Sequence, residues 1–416
     1  MVFRKYKPAK QWGKIDTLLF KKILSARNER KMPGFRAPEA VQAVDAVIQD
    51  TTGQSFEFPN NVRSEFVSDH PAFRMPTEKD HVLYKETKCV LFEGAEPFSD
   101  GVDHACALTN AVKNMKFPES LSNEFKKLTF PSDMEERVTD AIMHGERYDP
   151  TLDKLPVRHD PVMFWIKHRR FHGIPVMTKN NVILDNIYRQ VLLLAIRDGL
   201  LNDLRCDRDE PLSAILTHGQ FAKQPFVVRS HPHLTIQSGA LTPWASAEEV
   251  KSFTNAHVPN IAPIGKLIDL SRSHIYNDQA ILARANQKSL AINMIMWARE
   301  QNQKYPWTTE QNAANAIVTC FGAALAQASR KKANDDGTLT NPVLTKGVQL
   351  VDGRFDLVAF QLNTLDLSES SAVKNVVWVE KSLPFYKPVP FYETMEEVKN
   401  LNLETFYKFV SLLLRR

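Results

Sequence analysis

The chain has 416 residues, 43% of them hydrophobic and 24% charged, with a formal net charge of +5. That composition belongs to a folded protein and excludes a disordered or collagenous one, and the length allows one large core or two ordinary ones. The four cysteines, Cys89, Cys106, Cys206 and Cys320, are scattered without CxxC spacing, which excludes a disulfide scaffold, and the longest clean apolar run, Val191 to Ile196, is too short to span a bilayer.

The charge is unevenly placed. Residues 1–31 hold ten Lys or Arg against Asp16 and Glu29, a net of +8, so the remaining 43 basic and 46 acidic residues net −3. A basic head on a nearly neutral body fits a mitochondrial transit peptide or a basic arm lying on nucleic acid. Arg4, Lys5, Lys7 and Lys10 are the candidate RNA contacts of such an arm. Leu18, Leu19, Phe20, Ile23 and Leu24 at helical spacing favour the transit peptide, while the excess of lysine over arginine and the scarcity of serine speak against it.

Residues 32–84 are punctuated by proline and polar residues, with one expected helix after Pro38, and read as an extended wrap over a partner. Lys85 to Phe92 predicts a strand. Val102, Ala105, Cys106, Thr109 and Val112 share one face of an expected amphipathic helix. Ser132 and Glu135 form a capping box ahead of Val138 and Ile142. The broad apolar face of Ile183, Leu184, Ile187, Tyr188, Val191, Leu194 and Ala195 predicts a helix over about 180–200, stopped near Gly199. Phe226 to Ile236 reads as a strand interrupted by His231-Pro232-His233, and Ser246 with Glu249 makes a second capping box.

Further along, Gly322, Ala323, Ala324, Ala326 and Ala328 give a helix a thin side for close packing. Ser329 to Lys332 closes that helix with positive charge, which complements the helix dipole. Asp335-Asp336-Gly337 is a turn. Val348–Val351 and Phe355–Leu362 are β-prone runs joined by Asp352-Gly353, a two-residue hairpin signal. Leu403 to Leu414 is an amphipathic helix with Phe406, Phe409, Val410 and Leu413 on one face. The pattern predicts an α+β fold: a helix-rich body with antiparallel strand pairs and a basic N-terminal extension. The expected divisions are 1–31, 32–84, an N-terminal α+β half over 85–250 and a C-terminal one over 251–416, or one continuous body in place of the two halves.

Reaction motifs are missing from the chain: it has no GxGxxG, no GxxxxGK[ST] and no GxSxG, so no catalytic or cofactor residue is assigned. His168 and His172 lie four apart, but a zincin helix needs glutamate after its first histidine, and Arg169 and Arg170 stand there instead. No metal ligand is assigned. The surrounding segment, Phe164 to His172, sets aromatics around a compact basic cluster, a combination that grips phosphates and stacks on bases. Lys167, Arg169, Arg170 and Trp165 are its candidate RNA contacts; the plainer alternative is aromatic core with solvated charges. His231 and His233 are read as residues at a surface strand end, because the proline between them holds both in an extended segment.

Several strings carry a resemblance. FGAALAQA (321–328), VAFQLNTLDL (358–367), VKNVVWVE (373–380) and ETFYKFVSLLL (404–414) resemble the family of protein 37 of the mitochondrial large ribosomal subunit. APIGKLIDLSRSHIYND (262–278) and HVLYKETKCVLFEG (81–94) extend the likeness over most of residues 80–416. A paralogous family, large-subunit protein 65 (earlier small-subunit protein 30), shares the small-residue helix and the strand after it, but QLNTLDL (361–367) and VKNVVWV (373–379) are closer to protein 37. The resemblance implies a structural constituent of the mitochondrial ribosome in the matrix, supporting mitochondrial translation without catalysis or cofactor. Its implied partners are large-subunit rRNA and neighbouring mitoribosomal proteins, protein 65 among them. The alternatives are a non-ribosomal mitochondrial adaptor and an enzyme of unrecognised class.

Overall fold

The computed structural model describes residues 21–22, 87–146, 162–163, 165–166, 172–200, 204–239, 241–259, 271–275, 290–301, 305–331, 333–388, 398 and 400–415. The chain divides into two units, Met1–Thr77 and Glu78–Arg416. In the first, Lys21 and Lys22 are helical and exposed. The expected helix after Pro38 lies outside the described residues.

Every element named below belongs to the second unit. In chain order they are β1 (Thr87–Phe92), α1 (Gly101–Thr109), β2 (Ala111–Asn114), α2 (Glu119–Ser122), α3 (Met134–Glu146) and α4 (Val176–Arg197). Next come β3 (Arg205–Arg208), β4 (Leu212–Leu216), β5 (Phe226–Ser230), β6 (Leu234–Ser238), α5 (Ala247–Ser252) and β7 (Ser271–Ile275). The C-terminal part supplies β8 (Ala291–Arg299), α6 (Thr309–Ala328), β9 (Thr338–Val351), β10 (Arg354–Thr364), β11 (Asn375–Pro384) and α7 (Leu403–Leu414).

The strands form a four-stranded sheet, β4-β5-β1-β7, and a seven-stranded sheet, β2-β11-β10-β9-β8-β6-β3. Strands from both sides of residue 250 share each sheet. The α+β expectation holds, with one refinement: both sheets are mixed. The β9–β10 hairpin is antiparallel as expected, and Asp352 (φ 48°) and Gly353 (φ 70°) supply the two positive-φ residues of its turn. β8 and β9, however, run parallel and are joined through α6, while β2 pairs with β11, and β1 with β5, in parallel. A parallel neighbour needs a long crossover, and α6 is such a crossover.

A helix that is apolar on all sides must be buried on all sides, and α6 is buried from Asn312 to Ala328. It lies between the two sheets. Phe321 stacks on Phe226 of β5 at 6.1 Å and meets Phe360 of β10 edge-on at 5.7 Å. A Cβ on Gly322 would collide with Val228 of β5, and one on Gly347 of β9 would collide with Cys320. The thin side expected from the small residues therefore meets β5 at Gly322, while on the other flank it is Gly347 of the sheet that allows close approach to Cys320. Thr308 and Gln311 cap its start with a reciprocal capping box.

On its far face the seven-stranded sheet meets α4 and α7. Met294, Met296, Val348, Leu350, Phe355 and Leu357 pack there with Ile187, Val191, Phe406 and Phe409. Along β10 the side chains alternate between the two cores, as a strand buried on both faces requires. An extra residue in β8, Asn293, shifts that alternation where Ile236 and Gln237 pair with Met294 and Ile292. Lys346 is fully buried on the α4/α7 face and donates to the Arg415 carbonyl at 2.5 Å, tying down the end of α7.

Local expectations held for β1, α4, α7 and the Ser246–Glu249 capping box of α5. Four need correction. Asn110 adopts a left-handed conformation (φ 47°) that ends α1, so Val112 belongs to β2 and not to the helix. Helix α3 begins at Met134, with Arg137 N donating to the Asp133 carbonyl, one residue later than a box at Ser132 requires. Phe226 to Ile236 is two strands in different sheets, because Pro232 supplies no amide hydrogen for a continuous ladder. The basic run at 330–332 follows α6 and leaves no cation in its last turn.

Candidate functional site

Of the residues expected to touch RNA, Arg4, Lys5, Lys7, Lys10, Lys167, Arg169 and Arg170 lie outside the described residues, as does His168. Trp165 is described and is 66% exposed, so it is not core. Val162 (75%), Met163 (46%) and Ile166 (41%) are exposed with it, around a turn in which Ile166 N donates to Met163 O at 3.0 Å. His172 is exposed, and no group of three or more metal-ligating side chains occurs among the described residues. No helix among the described residues is long and apolar enough to cross a membrane.

The chain passes from the four-stranded to the seven-stranded sheet at His231-Pro232-His233. His231 is exposed, as expected of a strand end, whereas His233 is largely buried between two carboxylates. Its Nδ1 lies 2.9 Å from Asp209 and its Nε2 3.2 Å from Asp185, which also pairs with Arg208. This cluster binds α4 to the β3 and β6 edge and serves as a structural clamp.

Beside the crossover, a cleft of about 210 Å³ opens at the carboxyl ends of β1, β5 and β8. Glu93 and Gly94 follow β1, Arg229 to Pro232 leave β5, Trp297 to Arg299 end β8, and Asn315 and Thr319 come from α6. Arg229 pairs with Glu93 through a 3.5 Å contact in which both side chains are substantially exposed. Arg299 is different. Its guanidinium stacks on the Trp307 ring, 2.8 Å from the centroid, and its Nη1 donates to Asn312 Oδ1 at 2.8 Å. Burial pulls its pKa down to about 10, and among the described residues no carboxylate pairs with it.

Behind the cleft wall lies a buried polar chain. The Gln349 amide donates to the Asn312 carbonyl and to Asp356 Oδ2, each at 3.0 Å. That fixes its oxygen to accept from Trp297 Nε1 at 3.0 Å and from Asn315 Nδ2 at 2.8 Å. Asp356 also accepts from Ser382 N at 2.8 Å, yet burial pushes its carboxyl pKa up to about 6. Cys106 and Cys320 are buried thiols whose pKa burial raises, to about 12 for Cys106. All four cysteines are free.

Sequence comparison gives the context for these surfaces. Residues 294–416, from within β8 onward, match the family model for "Mitochondrial 28S ribosomal protein S30 (PDCD9)". A Bos taurus protein named large ribosomal subunit protein mL37 is 27% identical over 361 residues, 83% of this chain and 79% of that one. Its Rattus norvegicus namesake is 27% identical over 348 residues, 80% and 76% of the two chains. The Gallus gallus protein of that name is 28% identical over 187 residues, 42% and 43%. The C-terminal match bears the older name of the paralogue expected to share the small-residue helix, while the long matches bear the protein 37 name. Along about four-fifths of both lengths, the chain is similar to proteins named large ribosomal subunit protein mL37.

Proposed function

We propose that this protein is a structural constituent of the mitochondrial large ribosomal subunit, acting in the matrix and holding rRNA and neighbouring proteins in place without catalysing a reaction. The observation that carries this reading is the likeness to mL37 proteins along about four-fifths of both chains. Burial between two sheets of α6, which ends in the FGAALAQA string of the family resemblance, supports a scaffolding role for that segment.

The proposed RNA contacts are Lys167, Arg169 and Arg170, with the exposed Trp165, close to them in sequence, to stack, and Arg4, Lys5, Lys7 and Lys10 in any basic head retained after import. The paralogous large-subunit protein 65 is the proposed protein partner. A body with a net charge of −3 outside the head favours protein docking over a broad RNA footprint.

Gradient sedimentation of mitochondrial lysate tests the assignment. The protein should travel with the large subunit and be released by RNase or high salt; a free pool indifferent to RNase would refute it. Crosslinking that finds no ribosomal neighbours would favour the adaptor alternative. Sequencing the mature N-terminus of subunit-bound protein decides between a transit peptide and an RNA arm.

A further inference from the structure

We propose that the cleft at the ends of β1, β5 and β8 is a phosphate site for the RNA backbone, with Arg299 and Arg229 as its anion-binding groups. The proposal rests on the ribosomal reading above and adds a site that lies far in sequence from the expected basic cluster.

The first ground is Arg299. A charge withdrawn from water is costly unless an opposite charge compensates it. Arg299 is half-buried, and among the described residues it has one hydrogen bond, to a neutral amide, and one aromatic face. Among the described residues its remaining N–H groups have no acceptor, although a guanidinium carries five donors in a fixed fork. Stacking on Trp307 and the bond to Asn312 hold that fork at the cleft before any ligand arrives. An anion entering the cleft meets an oriented cation.

The second ground is position. Arg229 and Arg299 come from β5 and β8, in two different sheets, and His231 stands where the chain crosses between them. Backbones fixed by sheet pairing preorganise the site. The carboxyl ends of strands are also where α/β sheets leave room for ligands. Arg229 is engaged by Glu93 only through a long, exposed contact, a kind of ion pair that contributes little. It is therefore available to a stronger anion.

A phosphodiester suits this arrangement: its two non-bridging oxygens stand on a tetrahedral phosphorus, and each can accept from a different guanidinium fork. A carboxylate offers the same number of oxygens, so the choice of phosphate rests on the ribosomal reading. The −3 body also needs local concentrations of cation wherever it approaches RNA.

The test uses the assembled large subunit and the purified full chain. Ultraviolet crosslinking of the subunit, followed by mass spectrometry, should give nucleotide adducts on peptides containing Arg229–His231 and Trp297–Arg299. In solution, a short single-stranded RNA should bind with a change in tryptophan fluorescence. Arg229→Gln, at a half-buried position, and Arg299→Gln should each weaken that binding about tenfold. Each should also lower the salt slope by about one. Binding of inorganic phosphate but not RNA would overturn the RNA source. Binding of an acidic peptide in place of RNA would make the cleft a protein-carboxylate site and overturn the proposal. Co-sedimentation with the large subunit but no adducts at these peptides would sink the cleft alone and leave the ribosomal assignment standing.

Discussion

Toward α6 the seven-stranded sheet presents Gly347, Val358 and Phe360 together with the polar side chains of Gln349 and Asp356. Toward α4 and α7 it presents Val348, Leu350, Phe355 and Leu357. The difference follows from what lies beyond. Helix α6 is confined between two sheets, so its depth is fixed and side chains there are limited by how large they can be. The α4 and α7 layer has one sheet beneath it and fills its space with large rings, including Phe355 stacked between Phe385 at 4.9 Å and Phe409 at 5.8 Å. Polar atoms divide in the same way. On the α6 face they tie helix to sheet behind the cleft; on the other face Gln361 pins Trp244 and Ala245, and Lys346 pins the end of α7.

If the α4/α7 face is limited by filling, removing a ring there should give the largest loss. Phe355→Ala is expected to cost about 3–5 kcal/mol of stability, read as a drop in the urea midpoint at unchanged slope. A loss under about 1 kcal/mol would mean that this face collapses readily and that the contrast is false.

The polar chain of the α6 face makes the second prediction, through pH. Burial raises the Asp356 carboxyl from 3.8 to about 6, so between those values the native state holds a proton that the unfolded state has released. The contribution of this group to stability is therefore full below pH 3.8 and falls as pH rises to about 6. The whole change corresponds to about 3 kcal/mol. Asp356→Asn removes the titration whatever its fixed cost to the Gln349 and Ser382 bonds. Thermal melts from pH 4.5 to 7 should show a steeper decline for the wild type than for the variant. Parallel profiles would mean that Asp356 titrates normally.

How far these faces could be read from sequence depends on how local their causes are. Asp352-Gly353 and Ser246/Glu249 were legible because a turn or a cap is set by two or three adjacent residues. The small-residue side of α6 was legible too, but not its two-sided burial, since Val228 and Gly347 are distant in sequence. β8 gave no usable pattern: AINMIMWAR is buried on both faces and carries a bulge, so its apolar residues show neither period. The cleft was hidden for a related reason. Its residues come from four separated segments, and Arg299 in isolation is an ordinary strand-end arginine. The basic-aromatic cluster at 164–172 stood out by composition, and only Trp165, Ile166 and His172 of it fall among the described residues.

Size limitation on the α6 face predicts that adding one methyl is harmful where deleting one is not. Gly347→Ala should cost about 1–3 kcal/mol by driving a Cβ into Cys320. The partner change distinguishes overpacking from a general intolerance of the strand. Cys320→Ala opens space at that point, so the double variant should be more stable than Gly347→Ala alone, a coupling of about 1 kcal/mol or more. Additive losses in chemical denaturation would show that Gly347 is needed for its backbone and not for helix approach.

The smallest effect compares two capping boxes of the same design in opposite surroundings. Thr308 caps α6 and Ser246 caps α5, each with the reciprocal bond from the residue three positions on. Losing an N-cap oxygen costs about 1 kcal/mol of helix stability. Helix α6 cannot fray without opening the core between the sheets, so Thr308→Ala should lower global stability by about that amount. Helix α5 buries none of its residues and can open alone. Ser246→Ala should therefore leave the denaturation midpoint nearly unchanged while the amides of 247–250 exchange hydrogen about five times faster. An equal global loss from both variants would mean that α5 unfolds only together with the sheets and that the sequence-local device draws its weight from the fold around it.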